Sequence, residues 1–580
     1  MNKKRILFIT EASYLRTGFA TLGRELLKRL YKSGKYEIAE FGIYGYPDDP
    51  QSLQFPWMFY GNMPGSVRDK QGQHPNSNFK QETQLYNSNP MNQFGNWRFN
   101  DVALDFKPHI VLDIRDPWHL HAHDSPLRKY FNIIYQPTVD SSPQKTQWLA
   151  FLQEVEGVFT YSDWGTDVLE REGGGKINVL GRTGIGVDFD IYKPLSDKLA
   201  RRQRFGLTDD TILVGFFARN QKRKLFPDLC QAFRLFLDTC KEKGNDALAN
   251  RSYLYFHTSY PDIGWDFPTL LKEHGLAHKV YFTYVCRKCK FFFPSFFQDA
   301  RTMCPHCGDF SAGLPNTQAG VTEEILASIY NMLDVYVQYS ISEGFGNPIV
   351  EAAACGVPVM ICDHTGMRDF PKTLKAIPIK NGHEFKELET HAYRYYPDNN
   401  DLVAKLYKFL TLPKQLRQKQ GYETGRMVRK NYDWDKIASQ WIKVLDEIPS
   451  KKPWNSPPDL HQVNYNIPDN LSNEDFVNWC LVNVAGEPEY VNTFVGASLL
   501  KDLNYEVQLA IHEKSYLTDM SYFSDKPNTV RFDRKKLAEY CEQKCLARNQ
   551  LEQLRVKTVN IPTPWHIQIA HERMELLRNG

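Results

Sequence analysis

The sequence has no apolar run near the roughly 20 residues that a membrane-crossing helix needs. Its first apolar segment, Arg5-Ile6-Leu7-Phe8-Ile9-Thr10 after Lys3-Lys4, has the length of a strand, and no small-residue cleavage site follows it. Neither a transmembrane segment nor a secretory leader is expected, and the chain is read as cytoplasmic. Low-complexity tracts are also missing, which excludes a disordered or fibrous class. No sign of charge dominates. The 71 basic and 68 acidic residues leave a net charge of +3, so charge alone neither demands nor excludes a polyanionic partner. In a reducing compartment the 11 cysteines should be thiols unless they hold a metal.

The chain has 580 residues, too many for one ordinary core, and its 42% apolar and 24% charged residues are those of a globular protein. Aromatics, at 13%, suit sugar or base stacking and suit an ordinary large core equally. The basic pair Arg201-Arg202 and the cluster Arg534-Lys535-Lys536 near Arg531 read as solvated surface.

Arg5 to Thr10 reads as a buried strand, Thr17-Gly18-Phe19 as a glycine turn, and Leu22 to Leu30 as a helix with leucines at helical spacing. Strand, glycine turn, helix is how a parallel α/β sheet begins. Strands are predicted at His109–Asp113, Asn132–Tyr135 and Gly157–Tyr161. Residues 45–100, rich in Asn, Gln, Pro and aromatics, read as an insert or flexible flap. A second α/β pattern starts near Thr211, with strands at 212–217, 253–256, 280–285 and 335–339, a helix with Leu229, Phe233, Phe236 and Leu237 on one face, and another over Glu323–Tyr330. Two α/β lobes imply a cleft between them, the usual place for a ligand. The expected division is a first lobe over 1–195, a second lobe over 196–430, a closing helix over 431–450 and an extension over 451–580. The extension opens with Lys451-Lys452-Pro453-Trp454, which is linker chemistry, and holds helices near Glu474–Asn483 and Lys535–Arg555.

The sharpest feature runs from Ser342-Glu343-Gly344-Phe345-Gly346-Asn347-Pro348 through Glu351 to Ala354-Cys355-Gly356-Val357-Pro358-Val359. Two glycines let the backbone turn and approach a ligand closely. Asn347 fits an N-cap and Pro348 the first helical position, which places Glu351 in the first turn. A helix N-terminus offers free N–H groups and a positive dipole end to an anion such as a diphosphate. Two acids beside an anion site repel the anion unless they serve other partners, and hydroxyls of a sugar and a ribose are suitable ones.

The pattern resembles the retaining GT-B glycosyltransferases, the group that includes sucrose synthases and bacterial mannosyl- and glucosyltransferases. Their hallmark is two glutamates separated by seven residues around a Gly-Phe-Gly turn, the spacing of Glu343 and Glu351. The resemblance implies an α/β GT-B fold, two Rossmann-like lobes facing a cleft, and transfer of a hexosyl or pentosyl group from a nucleotide-diphosphate sugar with retention of configuration. It implies that Glu343 holds donor-sugar hydroxyls, that Glu351 holds the ribose, and that the amides of Gly344, Phe345 and Gly346 line the sugar–diphosphate site. Arg219 and Lys224, after the first strand of the second lobe, would contact the diphosphate, with Lys222 or Arg223 as alternatives to Lys224. Gly18 would approach donor phosphate and acceptor. Gly184 to Pro194 resembles the segment between lobes, and Tyr432-Asp433-Trp434-Asp435 the closing helix.

The diphosphate can itself take the acceptor's proton, with cations and the helix end stabilising its charge, so a catalytic Mg²⁺ is not expected. The Asp-x-Asp pairs Asp188/Asp190 and Asp433/Asp435 lie in the linker and closing helix and read as structural. Asp113, Asp116 and Asp140 are first-lobe candidates, and His119, His121 and His123 read as a loop of surface histidines.

Cys286-Arg287-Lys288-Cys289 and Cys304-Pro305-His306-Cys307 form two Cys-x-x-Cys knuckles fourteen residues apart, a spacing that closes a tetrahedral Zn²⁺ site. The segment, about 284–312, resembles a zinc ribbon with a closed, structural metal. Its apolar run Phe291–Phe297 should pack on the lobe or on a partner. The acceptor stays open: a glycan, a lipid-linked sugar, a small molecule, a protein, or a hydroxylated DNA base as in some viral enzymes of this fold. Two further readings are a non-catalytic binding protein on the same scaffold, which predicts a degraded donor site, and a GT-B-like epimerase, which would turn over donor without an acceptor.

Overall fold

The computed structural model describes residues 3–67, 79–298, 301–316, 320–488, 491, 534–556 and 563–579. Arg531, the stretch 68–78 of the expected insert and most of the middle of the C-terminal extension lie outside them.

The first lobe is a parallel seven-stranded sheet: β1 (Lys4–Glu11), β2 (Tyr36–Ile43), β3 (Met58–Gly61), β4 (Ile110–Asp113), β5 (Asn132–Tyr135), β6 (Gly157–Thr160) and β7 (Val179–Arg182), in the order β3-β2-β1-β4-β5-β6-β7. The order reverses at β1, and in open parallel sheets ligands bind outside the carboxyl ends of the strands at such a switch point. β1 and β4 are buried on both faces, as their unbroken apolar runs require. The helix Gly18–Lys32 follows β1, capped by the Thr17 hydroxyl on the Ala20 amide at 3.2 Å, and buries Leu22, Leu26, Leu27 and Leu30.

Residues 45–100 are not a plain flap. They contain the edge strand β3, and Phe55, Trp57, Phe59 and Tyr60 are buried. β3 pairs with β2 in parallel, so this aromatic-rich stretch is sheet and core, and short helices follow it between Phe79 and Phe106.

The second lobe has β8 (Ile212–Phe217), β9 (Ser252–His257), β10 (Val280–Cys286), β11 (Phe292–Phe296), β12 (Ala312–Gly313), β13 (Val335–Gln338), β14 (Val359–Cys362) and β15 (Ile377–Ile379). The order is β11-β10-β9-β8-β13-β14-β15, with β12 also paired to β10. The Cys-rich insert leaves this sheet at the end of β10 and returns along it as antiparallel β11, which places Phe293 against Tyr284. The apolar run of the insert thus packs on its own lobe. A hairpin of β16 (Asn381–Lys386) and β17 (Tyr393–Pro397) stands apart from both large sheets.

The chain then returns to the first lobe. Val187 N–H donates to Tyr432 O at 2.9 Å, and a Cβ on Gly186 would meet the Trp434 ring at 2.4 Å, so the linker and closing helix need a glycine there. The helix Trp434–Glu447 pairs Asp435 with Arg29 at 2.7 Å, and the Tyr36 hydroxyl donates to Asp446 at 2.6 Å. Asp188 accepts from Asp190 N at 2.9 Å and Asp433 from Asp435 N at 2.9 Å, so both Asp-x-Asp pairs organise backbone.

The extension is clasped to the first lobe. Trp454 Nε1 donates to Pro108 O at 2.7 Å, and Arg555 Nη1 to Trp454 O at 2.6 Å. Helix Arg534–Val556 covers the expected helix, and a further helix, Trp565–Asn579, lies on the β3 side, where Arg573 donates to Trp57 O at 2.6 Å and Phe55 O at 2.7 Å. Among the described residues no helix is long and apolar enough to cross a membrane.

Two surface expectations fail. Arg202 is buried, donates to Met332 O at 3.0 Å and pairs with Asp334 at 2.6 Å, closing the end of a helix rather than meeting water. His121 and His123 are buried too: His121 Nε2 bonds Phe94 O at 3.0 Å and His123 stacks on Phe151 at 4.5 Å. Burial, helped by Arg115, pushes His121 down to about 3. A backbone carbonyl and a helix aromatic fix these two rings, so His121 and His123 form packing rather than a surface loop.

Candidate donor site between the lobes

β13 ends at Gln338, and the chain crosses Ser340 to Gly346 before the helix Asn347–Ala354. Gly346 is left-handed at φ 105, so the helix cap is this glycine, without a side-chain cap bond. Asn347 is therefore the first helical residue rather than the N-cap. Glu351 falls in the second turn, since no acid lies in the first. The cap amides stay free of side-chain partners, which suits an anion.

The loop lies against the first lobe. A Cβ on Gly344 would sit 2.5 Å from Thr138 Cγ2, and one on Gly18 would sit 3.7 Å from Asn347 Nδ2. The Ser342 hydroxyl donates to Asp140 at 3.2 Å. Gly18, Thr138 and Asp140 follow the carboxyl ends of β1 and β5, so the switch-point end of the first sheet faces the loop. Phe345 turns its ring into the second lobe, against Phe370 at 5.3 Å and Tyr432 at 5.4 Å, and leaves only its backbone to the cleft.

Glu343 is buried. Gln338 Nε2 donates to its carboxylate at 2.8 Å, Lys224 forms a short ion pair with Oε1, and Arg223 reaches Oε2 at 3.1 Å. Burial works against its charge, but Lys224 and then Arg223 outweigh it and hold the carboxyl down at about 2. Burial and Arg223 pull Lys224 down to about 8, against the pull of Glu343, so both partners are charged at neutral pH. Thr365 and Glu343 exchange bonds, Glu343 N to Thr365 Oγ1 at 3.1 Å and Thr365 Oγ1 to Glu343 O at 3.0 Å, which fixes the backbone under the carboxylate.

Glu351 accepts from the Tyr330 hydroxyl at 2.9 Å. Burial raises it to about 7, Tyr330 opposing and Glu323 adding to the rise. Glu323 in turn meets Arg24 of the first lobe at 2.5 Å, an ion pair that spans the cleft.

The expected residues are brought together unequally. Lys224 and Glu343 touch, Gly18 lies beside Asn347 of the loop helix, and Gly344 beside Thr138 of the first lobe. Arg219 does not join them: its guanidinium makes two bonds to Asp262, at 2.9 and 3.0 Å, and it is exposed. Of the two alternatives, Arg223 reaches Glu343 while Lys222 is exposed. Of the first-lobe acids, Asp113 is locked to Arg115 at 2.5 Å, Asp140 meets Ser342, and Asp116 is pushed up to about 6 by burial, with Asp140 adding to the rise against a Thr138 hydrogen bond. Sequence reasoning missed Gln338, Tyr330, Thr138 and Thr365. Gln338 carried a signal, as a polar residue at the end of an apolar strand that opens into the glycine loop.

The four knuckle sulfurs converge within 4.8 Å of one another. Cys286 and Cys307 Sγ lie 3.7 Å apart and Cys289 and Cys304 Sγ 3.6 Å apart, close to the roughly 3.8 Å edge of a tetrahedron with about 2.3 Å metal–sulfur bonds. The donor set fits Zn²⁺ with no coordination position left over.

The family described as Glycosyl transferases group 1 matches residues 318–426, the segment that holds both glutamates and the glycine loop. The chain is similar to a D-inositol 3-phosphate glycosyltransferase of Geodermatophilus obscurus, 27% identical over 185 residues, which are 32% of this chain and 32% of that one. It thus spans about a third of that relative's length. Among solved structures it is similar to sucrose-phosphate synthase from Thermosynechococcus elongatus, with a TM-score of 0.54 and 15% identity over 77% of this chain and 99% of that one. At that identity the likeness concerns the fold: two Rossmann-like lobes of the GT-B type.

Proposed function

We propose that this chain, a GT-B fold with a group 1 glycosyltransferase segment, transfers a hexosyl or pentosyl group from a nucleotide-diphosphate sugar to a hydroxyl acceptor with retention of configuration. The observation that carries the reading is Glu343, a carboxylate held ionised under the glycine loop by Lys224 and Arg223, with Glu351 one helical stretch further on beside Tyr330.

In this reading the amides of Gly344, Phe345 and Gly346 and the helix end take the diphosphate, and Gly18 approaches it from the first lobe. Arg219 and Lys224 add positive charge, and each must first leave or share an acid, Asp262 or Glu343. Glu343 accepts from sugar hydroxyls and Glu351 from the ribose. The bond from the anomeric carbon to the diphosphate oxygen breaks, the acceptor oxygen bonds that carbon on the same face, and the acceptor's proton passes to the diphosphate. The preorganised donors stabilise the charge that builds on the leaving group. Zn²⁺ at Cys286, Cys289, Cys304 and Cys307 holds the insert and takes no part in transfer, and the enzyme works in the cytoplasm.

Slow donor hydrolysis, with water as acceptor, tests the stereochemistry without knowledge of the natural acceptor. Proton NMR before mutarotation should show the donor's own anomer appearing first. First appearance of the opposite anomer would overturn retention, and epimerised donor without hydrolysis would replace transfer by epimerisation.

A further inference from the structure

Away from the donor site, a cavity of about 270 Å³ lies where the Cys-rich insert meets the second lobe. Arg201, Arg204, Lys290, Phe205, Phe291 and His306 line it, and no carboxylate does. Arg201 is held in place by Asp197 at 2.7 Å and by the Ser328 hydroxyl at 2.8 Å. Arg204 and Lys290 form no ion pair among the described residues, although the Arg204 charge also stabilises Asp197 from a distance. The ring of His306 stacks on Phe291, centroids 5.0 Å apart and 18° from parallel, and Phe205 approaches Phe292 at 5.4 Å. Outside the cavity the same insert exposes Arg287, Lys288 and Arg301, and among the described residues Lys288 pairs with Asp309 at 3.4 Å. Met303 and Phe310 are also exposed there.

Stacking surfaces beside three cations and no lining carboxylate, with further cations on the same insert, match a polyanion that carries planar groups. We propose that this pocket holds one nucleotide of a single-stranded nucleic acid, its base against the Phe291–His306 pair, its phosphate at Arg204 and Lys290, and its neighbours along Arg287 and Arg301. A base within a duplex is stacked and cannot enter a concavity, so the strand must be single. The helix Glu323–Met332 supplies Ile325 and Ser328 to this pocket and Tyr330 to Glu351, so strand and donor would share one helix without sharing a site. The inference does not depend on glycosyl transfer, because it is tested by binding.

The test is fluorescence anisotropy of a labelled 12-nucleotide oligo-dT with zinc-loaded full-length protein. Binding should weaken about tenfold in Phe291→Ala through lost stacking. In Arg204→Ala it should weaken with a salt slope smaller by about 0.7, the value for one single-strand phosphate. Arg204 lies outside the knuckles, so its variant keeps the metal, and zinc content and melting temperature verify this for both proteins. Duplex DNA of the same length and dTMP should each bind at least tenfold more weakly than the strand. No binding of the strand overturns the proposal. So does dTMP binding as tightly as the strand, which would mark a free-nucleotide site, or heparin binding as tightly with Phe291→Ala unaffected, which would mark charge alone.

Discussion

Lys224 and Glu343 form a buried ion pair across the mouth of the glycine loop, and Glu343 is the carboxylate that the donor sugar is proposed to meet. Removing Glu343 takes the counter-charge from both Lys224 and Arg223, and removing Lys224 leaves Glu343 with Arg223 alone; breaking such a buried pair costs about 3–5 kcal/mol. Lys224→Ala and Glu343→Gln should each lower the melting temperature and reduce kcat about a hundredfold or more. The double variant Lys224→Ala/Glu343→Gln should regain part of the stability but no activity, since no lysine is left buried without a carboxylate while Arg223, part-exposed, still loses its partner. Thermal melts and initial rates on the three proteins distinguish this from a purely structural pair, in which activity would return with stability.

The pH dependence of stability follows from the same residue. Glu343 titrates near 2 when folded against an ordinary 4.5, a depressed value, so its contribution is present above about 4.5 and is lost as pH falls toward 2. Urea melts of wild type and Glu343→Gln should converge across that acid window and stay parallel above it.

Gly344 is needed for space rather than for backbone freedom, because its Cβ would land 2.5 Å from Thr138 Cγ2. Gly344→Ala should hold the lobes apart and lower kcat by roughly tenfold to a hundredfold, as a displacement of about 1 Å does at a reacting centre. Thr138→Ser removes that methyl and should restore most of the rate in the double variant. Failure of the rescue would mean that Gly344 serves the ligand directly.

Glu351 titrates near 7, raised by burial. Ribose hydroxyls donate to its ionised form, which grows as pH rises. Donor affinity should therefore increase about tenfold between pH 6 and pH 8, the ratio of ionised fractions for such a group. Glu351→Gln should bind weakly at both values. Isothermal titration at the two pH values decides it.

Chelation should destabilise the second lobe, because β10 ends at the first metal cysteine and β11 and β12 both pair with it. An ion held at a thousandfold excess over its dissociation constant contributes about 4 kcal/mol. A loss on the order of 10 °C in melting temperature is expected with a strong chelator, reversed by Zn²⁺ and absent in Cys286→Ser/Cys289→Ser.

Much of the site was legible because its chemistry is local in the chain. The seven residues between Glu343 and Glu351, the glycines between them and the two Cys-x-x-Cys knuckles are patterns that a short window contains. The strands followed from apolar runs bounded by turns. What escaped depends on contacts between distant segments. Arg573 donates to the carbonyls of Phe55 and Trp57 from more than five hundred positions away, and no periodicity in either segment announces it. Thr138 and Asp140 matter because the lobes close on them, and Arg202 is buried only because the end of helix Glu323–Met332 needs its guanidinium. The helix cap was misplaced by one residue because Asn-Pro is a good cap signal, while the left-handed Gly346 before it already ends the loop.

The central claim is a nucleotide-sugar donor site built on Glu343, Glu351 and the glycine loop. Its most direct test is isothermal titration of zinc-loaded full-length protein with UDP-, GDP-, ADP- and TDP-sugars, repeated with Glu351→Ala and Arg219→Ala. The account predicts saturable binding of one nucleotide class that both variants weaken by at least tenfold. Absence of binding for every donor by well-folded protein, or binding that both variants leave unchanged, would contradict it.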